Sequence, residues 1–310
     1  MNILFATDGS SHAEAALNFI LRFPFTRETT MTVLTVVDAI PMIQPELESL
    51  DEEQNHALES ANKVLRDDAA ALVDRVGDRL REDGWSGSTR VGSGDPVEEI
   101  LAVAEETNAD LIVLGSHGTG GIRRFLLGSV SDQVLEYAEC SVLIVKEPEP
   151  GTMQPVEAGT NAAMRILLAY DHSEASDKAL ELCADSPLEE VSEISVVSVM
   201  PLVTAYRQDI RQHINDIWLQ KKQVMQDGLD DAVRALKWAT PNVKTHLLEG
   251  NSVSNELLTA AEEAGSDMIV VGCKRKTAFK RFLMGSVTHR MARYARCSVW
   301  AVREKKDEPV

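Results

Sequence analysis

Residues 110–129 read DLIVLGSHGTGGIRRFLLGS. Leu111, Ile112, Val113 and Leu114 form a short unbroken apolar run, the pattern of a strand buried on both faces of a parallel sheet. Gly115 ends that run. Gly118 lets the chain take a positive φ or pass close to a ligand, because no Cβ intervenes. Gly128 and Ser129 then open a helix whose first N–H groups lack internal partners and carry the positive end of its dipole. Such a helix start grips phosphate oxygens. A flexible turn followed by a capped helix is the competing reading, and residues 129–132, Ser-Val-Ser-Asp, resemble a capping box.

The stretch has a copy. ADLIVLGSHG at 109–118 matches SDMIVVGCKR at 266–275, RRFLLGSV matches KRFLMGSV, and ECSVLIV matches RCSVWAV, all 157 positions apart. Near the start, ILFATDGSSHAEAAL matches ILLAYDHSEASDKAL, with Asp8 and Asp171 163 positions apart. Each copy has the same order of elements. In the first, strands are expected at 2–6, 31–37, 85–91, 110–115 and 141–146, and helices at 11–22, 46–82, 96–106 and 129–137. The second repeats this from about 164 to 303. Residues 147–161, EPEPGTMQPVEAGTN, are rich in Pro, Gly and Thr and read as a linker. The expected fold is therefore α/β: two repeated doubly wound domains, each a Rossmann-like five-stranded parallel sheet with helices on both faces. Their extents are 1–147 and 163–305, joined by a linker at 148–162. Such sheets bind ligands outside the carboxyl ends of their strands, where strand order reverses.

The 310 residues suit two domains, and 44% hydrophobic with 26% charged residues is ordinary for a globular protein. No apolar run approaches the roughly 18 residues that span a bilayer. The start, MNILFATDGS, has no signal-peptide pattern, so cytoplasm is expected. A net charge of −18 argues against nucleic acid or an anionic membrane as partner. Cys140, Cys183, Cys273 and Cys297 have no zinc or C-x-x-C spacing and read as small buried hydrophobes. Cys273 has a second reading, because Lys274 and Arg275 would favour its thiolate. No P-loop occurs, and no G-x-G-x-x-G follows the first strand.

On these motifs the chain resembles the universal stress protein family in its tandem two-domain form. The family's nucleotide signature, G-x-x-G, nine residues, then G-[S/T], is met by Gly115, Gly118, Gly128 and Ser129. The resemblance implies ATP, with Mg or Mn held by the phosphates and no metal ligand from protein side chains. It places Thr7 and Asp8 beside the nucleoside, the main chain of Val36 at adenine, and Gly128, Ser129, Val130 and Ser131 at the phosphates. It also implies that the halves pack through their last strands as a pseudo-dimer, and a homodimer of tandem chains is expected. His117 and Asp38 read as solvent-facing loop groups.

The second loop departs from the signature. Gly272, Gly285 and Ser286 align, but Arg275 stands at the middle glycine and Tyr170 at Thr7. A second site over Asp171, Val199, Gly272, Arg275, Gly285 and Ser286 is expected to bind ATP more weakly, or another ligand. Residues 272–303 hold nine Lys and Arg and no acid, against three of each sign in 115–146. That charge reads either as a surface pairing with acidic helices or as an anion site. Three functions compete: an ATP-binding stress or signalling protein with little or no catalysis, a slow ATPase or nucleotidyl-transfer enzyme, and a nucleotide-independent scaffold. In the scaffold reading, the basic second half binds an anion or an acidic partner.

Overall fold

A computed structural model describes residues 1–26, 28–37, 52–118, 127–147, 164–188, 192–202, 208–273 and 285–304. The first half runs β1 (Asn2–Ala6), α1 (Ser11–Arg22), β2 (Thr30–Val37), α2 (Glu52–Glu82), β3 (Ser86–Ser93), α3 (Pro96–Glu106), β4 (Leu111–Gly115), α4 (Ser129–Tyr137) and β5 (Ser141–Val145). The second runs β6 (Met164–Ala169), α5 (Glu174–Asp185), β7 (Ser192–Pro201), α6 (Gln208–Leu236), β8 (Val243–Gly250), α7 (Val253–Glu263), β9 (Met268–Gly272), α8 (Ser286–Tyr294) and β10 (Ser298–Val302).

The two halves share one ten-stranded sheet, in the order β3-β2-β1-β4-β5-β10-β9-β6-β7-β8. Within each half every pairing is parallel; at the centre β5 and β10 pair antiparallel, with Leu143 opposite Trp300. The separate five-stranded sheets read from the sequence are thus halves of one sheet, joined through the last strands as the resemblance implied. β5 and β10 are buried throughout, so leaving either edge open would expose an apolar strand.

Two apolar layers cover the sheet. One contains Phe5, Leu17, Val73, Leu180 and Leu229, from β1, α1, α2, α5 and α6. The other contains Leu4, Ile100, Leu135, Leu257 and Met291, from β1, α3, α4, α7 and α8. Alternation along β1 sends Ile3 and Phe5 to the first layer and Leu4 and Ala6 to the second. Trp300 of β10 lies against Phe23 of the first half, ring centroids 5.4 Å apart and edge-on.

Short helices start on caps that the sequence supplies. Ser10 Oγ accepts from Ala13 N–H at 3.2 Å, and Asp95 accepts from Val97 and Glu98 ahead of Pro96. Residues 129–132 resemble a capping box, but the N-cap of α4 is Gly128, which has no side chain, and among the described residues no side chain caps that helix. Gly128 N–H itself donates to Ser116 O at 2.8 Å.

The seam between the halves has an approximate two-fold character. Ser141 Oγ accepts from Arg303 N–H at 3.0 Å, and Ser298 Oγ accepts from Lys146 N–H at 3.3 Å. Lys146 Nζ donates to Ala295 O at the end of α8, while the Arg303 guanidinium donates to Leu135 O and Ala138 O at the end of α4. Asp132 of α4 meets His289 of α8 at 3.1 Å, and these two positions are themselves equivalent in the repeat.

Burial pushes the Lys146 amine from its ordinary 10.5 down to about 8. Between those values the unfolded chain holds a proton that the folded chain does not, so this residue makes stability rise with pH. The stability of the native protein relative to Lys146→Met is therefore expected to climb from pH 8 to pH 10, by at most about 1.4 kcal/mol per pH unit. Urea unfolding across that range checks it, and a flat difference refutes it. The thiols of Cys183 and Cys297, pushed up to about 12 by burial, act in the opposite direction above pH 9, but they do so in both proteins.

All four cysteines are free. Cys140, Cys183 and Cys273 are buried and Cys297 is half-buried, which fits small apolar packing groups.

Candidate functional site

The strand order reverses between β1 and β4, and there the carboxyl ends of the strands open onto a cavity of about 460 Å³. Thr7 and Asp8 leave β1, Leu34 and Val36 close β2, and Leu114 and Gly115 end β4. Pro96 and Ile100 of α3 form an apolar wall, while Gly118, Gly128, Ser129, Val130 and Ser131 form the rim at α4. All nine first-half residues singled out in the sequence line this one cavity.

The rim is built from backbone. Ser129, Val130 and Ser131 are the first three residues of α4, so their N–H groups have no partner within the helix, and among the described residues no side chain caps them. The Ser131 hydroxyl is not free for a ligand, because it donates to Gly115 O at 2.8 Å. A Cβ at Gly118 would stand 2.7 Å from Asp8 Oδ2, and one at Gly128 would stand 3.2 Å from Ser116 O. Both glycines therefore bring main chain close to its neighbours.

Asp8 has a local role as well. Its Oδ1 accepts from Ser10 N–H at 3.0 Å across a turn in which Gly9 has φ +73°. The helix cap is Ser10, not Asp8. Thr7 N–H donates to Leu34 O at 2.8 Å, which extends the β1–β2 ladder to the cavity's edge.

Gly115 is explained by packing. An added Cβ would meet His12 C at 2.7 Å, His12 O at 2.8 Å and Ala13 N at 2.9 Å, all main-chain atoms at the start of α1.

His117 does not face solvent as expected; it lines the cavity. Its Nδ1 lies 3.2 Å from Ser116 Oγ, and Ser116 Oγ lies 3.5 Å from His12 Nδ1. The two imidazoles are 5.1 Å apart. Burial, then His12, then Lys146 hold the His117 imidazole below its ordinary value, so it is neutral near pH 7. His12 and Ser116 were missed in the sequence. Only the adjacency of Ser116 and His117 to Gly115 could have flagged them. Asp38 lies outside the described residues.

Among the described residues, no lysine or arginine lines the cavity, and Asp8 is its one carboxylate. No group of three or more His, Cys, Asp or Glu that could hold a metal occurs among them either.

The second half keeps the frame and changes the details. Ser173 N–H donates to Asp171 Oδ1 at 3.1 Å, matching the turn at Asp8, and Thr288 Oγ1 donates to Gly272 O at 3.1 Å, matching Ser131. Val199 ends up buried near the close of β7. Gly285 caps α8, and Ser286 begins it. A Cβ at Gly285 would find nothing nearer than Thr288 Oγ1 at 3.8 Å, unlike the crowded Gly128. Tyr170 is turned into the α5–α6 layer, its hydroxyl donating to Asp177 Oδ1 at 2.9 Å, so it does not stand in for Thr7. Arg275 lies outside the described residues.

A twofold-repeated parallel sheet, with a glycine-rimmed cavity at the switch point of one half, defines a doubly wound α/β protein. Residues 1–146 and 163–303 each match the model of the universal stress protein family, and the chain belongs to that family. A universal stress protein of Mycolicibacterium smegmatis is 26% identical over 311 residues, covering 98% of this chain and 97% of that protein. Universal stress protein MJ0577 of Methanocaldococcus jannaschii is 30% identical over 155 residues, covering 46% of this chain and 93% of that protein. A solved universal stress protein of Archaeoglobus fulgidus has the same fold, with a TM-score of 0.60 at 21% identity, covering 97% of this chain and 98% of that one.

Proposed function

We propose that the first half binds ATP and that the protein is a stress-response or signalling protein which turns its nucleotide over slowly or not at all. The observation that carries this is the set of three N–H groups, from Ser129, Val130 and Ser131, that begin α4 at the switch-point cavity and meet no capping side chain among the described residues. Gly118 and Gly128 let a phosphate chain approach main chain closely. Asp8 would accept from the ribose or base, since a carboxylate beside the phosphates would repel them. Val36 would present its main chain to adenine, against the apolar wall of Pro96 and Ile100. With no cationic side chain among the described lining residues, Mg or Mn would be held by the phosphates and would neutralise their charge.

The second half, in this reading, binds another anion or ATP more weakly. The domains span 1–147 and 163–305, and tandem chains associate as cytoplasmic homodimers.

Calorimetric titration with magnesium-ATP tests the proposal. Saturable heat at one site per chain is expected. Gly118→Val should weaken binding by more than tenfold, because its Cβ would stand on Asp8 Oδ2. Absence of heat with any adenine nucleotide refutes the proposal, and rapid phosphate release would overturn the view of slow turnover.

A further inference from the structure

We propose that His117 selects the polyphosphate tail, its Nε2 donating to a terminal phosphate oxygen while the imidazole takes up a proton. This rests on the nucleotide reading above. Three observations lead to it. The ring lines the cavity at the start of the Gly118 loop. Its Nε2 is shielded from solvent and has no hydrogen-bond partner among the described residues, although Nδ1 is engaged by Ser116 Oγ. A buried ring nitrogen left unpaired carries a desolvation cost that an arriving acceptor would relieve.

Position supplies the third. Gly128 N–H is tied to Ser116 O, and a Cβ at Gly128 would stand 3.3 Å from His117 Cα. The helix start that would grip phosphate and the imidazole are therefore side by side. Among the described lining residues, His117 is the one side chain able to become a cation near neutral pH.

The charged and titratable groups around it set the empty state. His12 faces it from α1, Lys146 and Glu147 follow β5, and Asp8 lies beside Gly118. Asp132 of α4 is turned to His289. Burial, His12 and Lys146 keep the empty ring neutral. Phosphate charge arriving next to it reverses that balance and favours imidazolium. The complex then holds more protons than its separated parts, so affinity rises as pH falls. A monophosphate brings less charge and a shorter reach, so AMP should show the effect weakly.

The test is calorimetry with magnesium-ATP and with AMP at pH 8, 7 and 6, on the native protein and His117→Gln. Glutamine keeps a donor and loses the titration. Comparing the two proteins cancels protonation of the nucleotide itself. The native protein should gain about tenfold in ATP affinity over the variant between pH 8 and pH 6. AMP affinity of the variant should stay within about twofold of native. Parallel pH profiles for ATP overturn the proposal, as does an equal loss for AMP and ATP. Should neither protein bind any adenine nucleotide, the function proposed above falls, and this inference with it. If His117→Gln does not fold, native binding in buffers of different ionisation heat decides: greater proton uptake with ATP than with AMP supports the role, and equal uptake overturns it.

Discussion

Replacing Gly272 with alanine is expected to destabilise the protein by about 3 kcal/mol, a fall in Tm of roughly 6–12 °C. The new Cβ would lie 2.2 Å from Ala175 O, 2.3 Å from Ala175 C and 2.7 Å from Ser176 N. These are main-chain atoms in the first turn of α5, so no rotamer change can relieve the clash. The helix cannot simply retreat. Ser173 caps it, and Ala179, Leu180 and Cys183 fix its buried face against the sheet. Gly285→Ala is the matched control. Among the described residues its Cβ meets only Thr288 Oγ1, at 3.8 Å, and its cost should stay under about 1 kcal/mol. Thermal unfolding of both variants decides, and equal Tm values would defeat the prediction. A large effect at 272 means that this glycine recurs because strand and helix touch, as they do at Gly115. Its presence then says nothing about a ligand in the second half.

That example marks how far the sequence could be read. The repeat, the apolar runs and the glycine loop led to two α/β units with a cavity at the carboxyl ends of the strands, and element ends moved by only a residue or two where they are described. Gly115 and Gly118 look alike in a signature, yet one accommodates helix α1 and the other faces Asp8. Only the three-dimensional approach of another segment separates them. The helix at 129–137 was legible, but the bond from Gly128 N–H to Ser116 O was not, because local patterning carries no trace of a contact with another segment. His117 read as a solvent-facing loop residue because local sequence does not reveal that its ring lines the cavity beside Gly128. Tyr170 aligned with Thr7, but its ring is buried in the first apolar layer and its hydroxyl is held by Asp177 Oδ1. The apolar ends SVLIV and SVWAV signalled edges that need covering. That these two ends meet came from family resemblance, since periodicity says nothing about which edges meet, and that they join in one continuous sheet is seen only in the structure.

Arg303→Met is expected to cost about 3 kcal/mol, although the residue lies near the end of the second half and far in sequence from what it holds. Its guanidinium donates to Leu135 O and Ala138 O, the last carbonyls of α4, and its Nε lies 3.4 Å from Cys273 Sγ. Leu135 and Ala138 are buried, so those carbonyls would lose charged donors without gaining water. Methionine keeps most of the stem's packing and removes the charge, so the loss can be assigned to the hydrogen bonds. Arg296→Met is the control. Arg296 pairs with Glu262 at an exposed site, 56% and 50% accessible, and should cost under about 1 kcal/mol. Denaturant unfolding compares the totals, and hydrogen exchange locates the effect. Faster exchange should appear in the last turn of α4, a helix of the opposite half. Unchanged stability, or exchange confined to β10, would refute the assignment. The reciprocal contact from Lys146 to Ala295 O makes the physical point general. Each half completes the last turn of a helix belonging to the other, and α4 carries the cavity's amides at its far end. The seam between the halves is therefore part of what holds the cavity-facing turn in place.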